Sequence, residues 1–401
     1  MAEHRDARVS LVSAAGRATH GTRTLLGRDV ERFATWSSEA WAELPGRGAA
    51  ALRAAANRAF GAGAGAVVAL VTHEAASGFD AAIAPSPTWG GLPAVTLLAV
   101  WSYEQHAAGD PGWPASGAEI PRVVRAPHGS WHRQRVELIR EAIAAGRVYQ
   151  ACLTFPVWFE RPETLEPLAV RLMQRHPTDF AAHVAFDGFA LASASPERFL
   201  SLRAGVATAR PMKGTRRLGP GDMVERVCDE LATSAKDRSE NIMIVDLLRN
   251  DLGRVCLPGS VTVPSLCEVE VYRSVAQMTS TVTGRLRPGL DVWDLLGAAF
   301  PPGSMTGAPK VEAVKLLAEI EPGPRGLYGG TIAWVEPSGD AEMSVVIRSM
   351  QAWQDQARWD IGGGIVWDSN PADEWAEACG KLAALDPGLA DALARGEFSR
   401  P

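Results

Sequence analysis

The 401-residue sequence predicts an α+β fold in which antiparallel sheets are flanked by helices. Short β-rich segments recur from residue 183 onward, and turns too short to hold a crossover helix often join them. They are HVAFDGFALASAS, RFLSLRAGVATAR, GLYGGTIAWVEP, AEMSVVIRSMQAW and RWDIGGGIVW. Helical patterns lie before, between and after these segments, so the order is not the strict alternation of a nucleotide-binding α/β fold.

The first part of the chain is less informative. Residues 1 to about 120 are rich in Ala and Gly with weak periodicity, and they end in the turn-rich stretch GDPGWPASGAEIPR, which is typical of a linker or a long surface connection. We therefore expect a boundary near Pro121. The predicted division is a short N-terminal part over 1–120, a main region over 121–390 that carries the site, and a C-terminal tail over 391–401.

From Trp131 the periodicity is stronger. WHRQRVELIREAIAAGRV has helical spacing, YQACLTFPVWF is rich in strand-forming residues, and LEPLAVRLMQRH is helical again. Further helices are predicted at roughly 222–250, 291–299, 308–320 and 371–384.

Composition narrows the class of protein. The chain is 46% apolar and 21% charged, as in soluble globular proteins. Its net charge is −6, and its acidic and basic residues are interspersed, so that no basic stripe is formed. Nucleic acid and membrane are therefore not expected partners. The five cysteines form no CxxC pair, which disfavours a disulfide framework and a zinc site. Without a signal-peptide pattern or a bilayer-length apolar run, we expect a cytoplasmic protein.

The candidate site lies in the second half of the chain, where histidine is absent. All eight histidines precede residue 184, whereas the Gly-punctuated polar motifs follow residue 190. Acid and base chemistry there must use Glu, Asp or Lys with shifted pKa values, and electrophilic stabilisation must come from a metal or from Arg.

Two carboxylate pairs stand at i, i+3 spacing on predicted helices. Glu374 and Glu377 share a face with Lys381 in ADEWAEACGK, and Asp237 and Glu240 lie just before the apolar IMIV run. Together they would form a hard-oxygen cluster suited to Mg²⁺. The alternative is two solvated helix faces, because charges at this spacing are common on exposed helices.

The segment FPPGSMTGAPK resembles a phosphate loop but lacks the required spacing of glycines and lysine. Ser304 and Thr306 before a helix could still bind an anion such as a carboxylate, or the segment could be a simple helix-entry turn. The glycine runs in GGTIAWV and IGGGIVW indicate a close approach of backbone to a ligand or to a neighbouring strand.

Three further charged residues are candidates. Arg348 interrupts an apolar strand pattern and needs a carboxylate partner, which could be structural or a ligand. Lys213 lies in a polar turn, RPMKGTRR, where it is either solvated or a nucleophile whose pKa is depressed by burial or neighbouring arginines. Glu197, just before a strand, is a surface acid or a general acid.

Taken in order, these segments resemble the chorismate-utilising family that includes anthranilate, aminodeoxychorismate, isochorismate and salicylate synthases. The resemblance runs from about Trp131 to Lys381 and rests on SASPERF, PMKGT, AKDRSENIMIVDLLRNDLGRV, FPPGSMTGAPK, the Tyr328 turn, IRS and GGGIVWDSNPADEWAE with the following lysine. It implies a layered sandwich with the active site between two lobes.

The resemblance also implies roles for individual residues. Glu240 and Glu377 would bind Mg²⁺, with Asp237 and Glu374 as companion acids, and Glu197 would protonate the departing C4 hydroxyl of chorismate. Lys213 would be a nucleophile. The implied contacts to the substrate are Gln150, Gly214, Thr215, Gln277, Ser304, Tyr328, Arg348, Gly362, Gly363, Gly364 and Lys381.

Two positions distinguish the reactions within the family. Isochorismate and salicylate synthases carry a water-activating lysine where this chain has Gln150, and anthranilate synthases typically carry alanine where it has Lys213. The resemblance is therefore closest to component I of the aminodeoxychorismate synthases. Gln277 replaces a histidine associated with handling the enolpyruvyl group, which fits an enzyme that retains that group.

The implied activity is Mg²⁺-dependent amination of chorismate at C4. No cysteine stands on a Gly-rich elbow, so ammonia must come from elsewhere. The resemblance implies a separate glutamine amidotransferase subunit that forms a heterodimer with this chain. Amination at C2, giving anthranilate or 2-amino-2-deoxyisochorismate, is one alternative. A non-catalytic chorismate-binding regulatory subunit is another.

Overall fold

The computed structural model describes residues 7–12, 23–107, 119–219, 221–272 and 275–399. The strands are β1 (Arg8–Val12), β2 (Arg23–Trp36), β3 (Ala66–Val71), β4 (Val95–Ala107), β5 (Val123–Arg125), β6 (Gln150–Glu160), β7 (Phe180–Phe186), β8 (Phe189–Ser195), β9 (Arg198–Arg203), β10 (Val206–Arg210), β11 (Met212–Arg217), β12 (Thr262–Val271), β13 (Val275–Arg285), β14 (Gly307–Ala308), β15 (Thr331–Val335), β16 (Ala341–Val345), β17 (Ser349–Trp353) and β18 (Gln356–Ile365). The helices are α1 (Ser38–Ala42), α2 (Gly48–Gly61), α3 (Ala76–Phe79), α4 (Gly129–Ala144), α5 (Glu166–Arg175), α6 (Val224–Thr233), α7 (Ala235–Gly253), α8 (Val292–Ala299), α9 (Lys310–Ile320), α10 (Pro371–Leu382) and α11 (Pro387–Arg395).

The strands form one continuous antiparallel ladder. Its order is β13, β10, β9, β16, β15, β3, β4, β2, β1, β7, β8, β17, β18 and β6. At one end β11 and β12 pair with β13, and at the other end β5 and β14 pair with β6. The predicted antiparallel α+β class is confirmed.

Three apolar clusters show how the ladder folds back on itself. Alternate residues of β3, such as Val68 and Leu70, pack with Val184 and Leu191 of the other half, which makes a core between two sheets. The opposite face of β3 packs against α2, α7 and α8. The outer face of the second sheet packs against α5, α10 and α11. The result is helices, sheet, sheet and helices in four layers.

Most predicted elements are found, with one correction among the helices. The helix predicted over 222–250 is two helices, because Ser234 has extended backbone angles and its hydroxyl accepts from Asp237 N as the N-cap of α7. Within α7, Ile244 and Val245 are buried as expected, whereas Ile242 is exposed.

The N-terminal part contains regular structure that its weak periodicity did not predict. β2 and β4 are long paired strands, and β3 pairs with β15 from the second half of the chain. The predicted linker falls largely on residues 108–118, outside the described residues. The boundary expected at residue 391 falls within α11. The proposed domain division stays a prediction.

Among the described residues, no helix combines the length and apolar character needed to span a bilayer.

Gly307 provides a test of how closely the strands approach the loop that precedes α9. An added Cβ there would lie 2.1 Å from the carbonyl oxygen of Gln150, and its φ of +144° disfavours L side chains. Gly307→Ala should therefore lower the free energy of unfolding by about 2 kcal/mol or more. The measurement is the urea midpoint at unchanged slope.

The matched control is Gly253→Ala, at the end of α7, where an added Cβ meets no atom within 4 Å. Its effect should stay within about 0.5 kcal/mol. Equal midpoints for the two variants would contradict the close approach at Gly307.

Candidate active site

A cavity of about 1200 Å³ lies where the two ends of the ladder approach each other. Its walls come from β11 and β13 at one end, from β18 at the other, and from α7 and α10. The predicted site residues that line it are Glu197, Lys213, Gly214, Thr215, Asp237, Glu240, Gln277, Ser304, Tyr328, Arg348, Gly362, Gly363, Gly364, Glu377 and Lys381. The structure therefore gathers residues spread over almost two hundred positions of sequence.

Two predicted site residues, Gln150 and Glu374, are buried beside the glycine run of β18 and do not line the cavity. Gln150 is buried at the start of β6, and its Nε2 lies 2.4 Å from the position that a Cβ on Gly364 would take. Glu374 is buried in α10, with its Oε2 3.8 Å from the corresponding position on Gly363.

The glycine run of β18 forms a wall of bare backbone. Gly362, Gly363 and Gly364 pair with Thr154, Leu153 and Cys152 of β6. A Cβ on Gly362 would lie 3.1 Å from the Tyr328 hydroxyl. The close approach predicted from IGGGIVW is thus a close approach to side chains that border the cavity.

Lys213 and Glu197 meet at Ser304. The Lys213 Nζ donates to the carbonyl oxygen of Ser304 at 3.3 Å, and the Ser304 side chain hydrogen bonds to the Glu197 carboxyl. Lys213 lies within β11, not in the turn predicted from its neighbours. Ser304 lies in a short helical turn, Gly303–Met305, well before the start of α9 at Lys310. It is therefore not at a helix N-terminus.

Burial shifts the protonation of Glu197. The side chain is 6% exposed, and desolvation raises the pKa of its carboxyl, against the opposing effects of Ser304, Lys213 and Arg348. A carboxylic acid that keeps its proton can donate it to a leaving group. Glu197 is thus suited to general-acid chemistry.

Of the four predicted metal-binding acids, Asp237, Glu240 and Glu377 line the cavity from α7 and α10, and Glu374 is buried in α10. Three of the four form ion pairs. Asp237 accepts from Arg216 at 2.6 Å, Glu377 pairs with Lys381 at 2.8 Å, and Glu374 lies 3.6 Å from Lys236. Glu374 also accepts from the Ser369 hydroxyl at 2.7 Å. Burial raises the pKa of Glu240, and the nearby charges of Glu377 and Asp237 raise it further, against Lys213 and Lys236.

The donor atoms and charge of these acids suit Mg²⁺, although their side chains are not arranged as a complete coordination sphere. Within the described ranges, no three acidic, histidine or cysteine side chains are gathered closely enough to hold an ion. However, Glu240, Glu377 and Asp237 repel one another electrostatically, which a bound cation would relieve, and carboxylate oxygens are the ligands that Mg²⁺ prefers. The residues present fit the ion in donor type and charge.

Two positive groups that border the cavity, Arg348 and Lys381, suit anionic ligands. Lys381 Nζ donates to the carbonyl oxygen of Gly362 at 2.6 Å, next to the Tyr328 hydroxyl. Arg348 lies between β16 and β17 with a φ of +49°, so it does not interrupt a single strand as predicted. Its guanidinium and the Lys381 ammonium border the same cavity.

Two cavity-lining cations were missed from the sequence. Lys236 and Arg216 each pair with a predicted metal-binding acid. The signal for Lys236 is its position directly before Asp237 on the same helix. Arg216 follows Lys213 by three positions along β11, but only the fold reveals its contact with α7.

Comparison with known proteins identifies similar chains. The profile of the family described as chorismate binding enzyme matches residues 104–387. An aminodeoxychorismate synthase of Streptomyces pristinaespiralis is 45% identical over 66% of this chain and 37% of its own length. The aminodeoxychorismate synthase component 1 of Klebsiella aerogenes is 46% identical over 70% of this chain and 62% of its own length.

The fold is shared with a solved structure as well. Anthranilate synthase component I from Streptococcus pneumoniae TIGR4 superposes with a TM-score of 0.70 at 23% identity, covering 96% of this chain and 94% of that one. The chain spans less than two thirds of the length of either curated relative above.

The raised pKa of Glu197 predicts how stability depends on pH. The folded state holds the Glu197 proton more tightly than the unfolded state does. The free energy of unfolding therefore falls as pH rises from the ordinary carboxyl pKa through the raised pKa of the folded state. Glu197→Gln should therefore be more stable than wild type at neutral pH, and the difference should vanish in acid. Urea unfolding across this range in EDTA measures it.

Glu377→Gln is the control with the opposite sign. Lys381 lowers the pKa of Glu377, so its charge stabilises the fold above the ordinary carboxyl pKa and that stabilisation is lost as pH falls. This variant should be less stable at neutral pH. If both variants change the free energy of unfolding at neutral pH in the same direction, burial does not raise the pKa of Glu197 as described.

Proposed function

The chain belongs to the chorismate-binding enzyme family, and on this premise we propose that it aminates chorismate at C4 with ammonia to form 4-amino-4-deoxychorismate. The observation that carries the proposal is that Lys213 and Glu197 meet at Ser304 on the cavity wall. A nucleophile and an acid are the two groups that such a displacement requires. The names of the relatives from Streptomyces pristinaespiralis and Klebsiella aerogenes support the same reaction.

Substrate binding would use the opposed charges of the cavity. Arg348 and Lys381 suit one carboxylate of chorismate, with the Tyr328 hydroxyl and the bare backbone at Gly362 beside them. Glu240 and Glu377 would hold Mg²⁺, with Asp237 and Glu374 as companion acids. When bound, the ion would supply positive charge for the ring carboxylate.

In the first step the free amine of Lys213 adds to C2 of the ring. The two conjugated ring double bonds both shift, the bond from C4 to its hydroxyl breaks, and Glu197 gives its proton to the departing oxygen, which leaves as water. The lysine nitrogen passes its extra proton to the Glu197 carboxylate and stays bonded to C2. Burial raises the pKa of the Glu197 carboxyl and so favours its protonated form, which supports this assignment because hydroxide is a poor leaving group.

In the second step ammonia replaces the lysine. Ammonia forms a bond to C4 and the two ring double bonds return to their original positions. The bond between C2 and the Lys213 nitrogen breaks, and that nitrogen takes up the proton that the newly bonded ammonia gives up. The enolpyruvyl group takes no part and is retained. The product is the precursor of p-aminobenzoate.

We also propose that ammonia comes from a glutamine amidotransferase partner. Four of the five cysteines are buried, unlike the accessible thiol that a glutaminase needs. The relative from Klebsiella aerogenes is named component 1, which supports the existence of a second component.

The product of the reaction tests the proposal directly. With chorismate, Mg²⁺ and an ammonium salt, the isolated chain should form an intermediate that aminodeoxychorismate lyase converts to p-aminobenzoate, identified by mass and fluorescence. Glutamine in place of ammonium should give little product until a glutaminase subunit is added. Anthranilate as the product would replace C4 amination with C2 amination, and inactivity in every arm would favour a regulatory subunit.

Lys213→Ala tests the covalent step. It should reduce C4 amination by several orders of magnitude, because the nucleophile is lost, whereas chorismate affinity measured by calorimetry should change little. Lys315→Ala, at an exposed lysine on α9 that pairs with Glu312, is the matched control and should keep full turnover. A normal turnover number for Lys213→Ala would remove the covalent step.

A further inference from the structure

Arg325 is a fully buried arginine directly behind the cavity. Its side chain is 2% exposed, and its guanidinium forms a two-pronged ion pair with Glu321, with Nε to Oε2 at 2.9 Å and Nη2 to Oε1 at 2.6 Å. Its remaining donors reach two backbone carbonyl oxygens, those of Met305 at 2.6 Å and Cys152 at 2.8 Å. All three guanidinium nitrogens therefore have acceptors.

These two carbonyls belong to the segments that shape the cavity wall. Met305 follows Ser304 in the helical turn, and Cys152 lies in β6 opposite Gly364. The same segments are joined a second time, because Cys152 N donates to the carbonyl oxygen of Thr306 at 2.8 Å. Arg325 thus holds the turn that carries Ser304 against β6, from the side away from the cavity.

The surrounding structure keeps Arg325 in place. Glu321 also accepts from Thr154 N at 2.8 Å, and the Arg325 backbone N–H donates to the Glu74 carboxyl at 2.5 Å. A Cβ on Gly329 would lie 3.4 Å from Arg325 Nη1, so a glycine there leaves room for the guanidinium. A planar guanidinium held this way can fix directions as well as charge.

We propose that Arg325 is a positioning residue for Lys213 and Glu197, acting through the turn that carries Ser304. Both groups contact Ser304, the ammonium at its carbonyl oxygen and the carboxyl at its side chain. Fixing this turn therefore fixes the nucleophile and the acid relative to each other. The role in catalysis rests on the function proposed above, whereas the effect on the placement of Lys213 does not.

The test needs variants that fold. Removing Arg325 alone would leave Glu321 as an unpaired buried charge, so the main variant combines Arg325→Met with Glu321→Gln, which keeps an acceptor for Thr154 N. Arg325→Lys is the conservative variant: its ammonium can pair with Glu321 but cannot reproduce the planar fork. Arg53→Met, which removes an ion pair with Asp291 far from the cavity, is the control.

The first readout does not depend on any enzymatic activity. Lysines are acetylated briefly in the folded protein, and modification of Lys213 is measured by mass spectrometry relative to exposed Lys315. In the double variant the turn that carries Ser304 should move, so that Lys213 loses its hydrogen bond to the Ser304 carbonyl oxygen. The relative labelling of Lys213 should then rise about fivefold, the factor expected for one ordinary hydrogen bond. Arg325→Lys should give a smaller rise, and Arg53→Met none.

The second readout separates positioning from binding. In the amination assay the double variant should lose turnover number while the KM for chorismate changes little, because Arg348 and Lys381 still border the cavity. Wild-type labelling of Lys213 in a variant that keeps its melting temperature would overturn the proposal, whatever its turnover. If wild type proves inactive but labelling responds as expected, only the proposed function fails.

Discussion

The cavity depends on one constraint, the absence of side chains along three consecutive residues of β18. Gly362, Gly363 and Gly364 continue the pairing with β6, so the ladder remains hydrogen-bonded while its surface stays open. Any Cβ at Gly364 would meet Gln150, and one at Gly362 would meet Tyr328 and Thr154. Strand pairing with β6 therefore makes this wall rigid, and the lack of side chains leaves its backbone accessible from the cavity.

Charge is distributed around this wall in a way that separates chemical tasks. Burial at Glu197 favours the neutral acid, whereas Lys381 keeps Glu377 ionised although both side chains are half exposed. The pKa values of two carboxyl groups in one cavity are thus shifted in opposite directions because their surroundings differ. Such a difference suits the proposed division of tasks between a proton donor at Glu197 and an anion at Glu377.

Sequence patterns predicted the groups that touch the cavity better than those that hold it together. Lys213, Glu197 and the helical acids stand in polar motifs with recognisable spacing. Arg325, between a proline and a glycine, has the appearance of a solvated loop residue, and only the fold shows that its acceptors come from β6 and from the turn before α9. The break at Ser234 depends on a local N-cap that helical periodicity does not show. The long strands before residue 107 were missed because their pairing with distant strands leaves no local pattern.

The side-chain nitrogens near the glycine wall of β18 bear on which nucleophile the proposed reaction uses. An amide at residue 150 cannot serve as a base for water, and Gln150 is buried and does not line the cavity. The Lys213 Nζ lies 3.6 Å from the Cβ position on Gly364, and Lys213 lines the cavity. An amine nucleophile therefore fits the proposed amination better than water activated by residue 150.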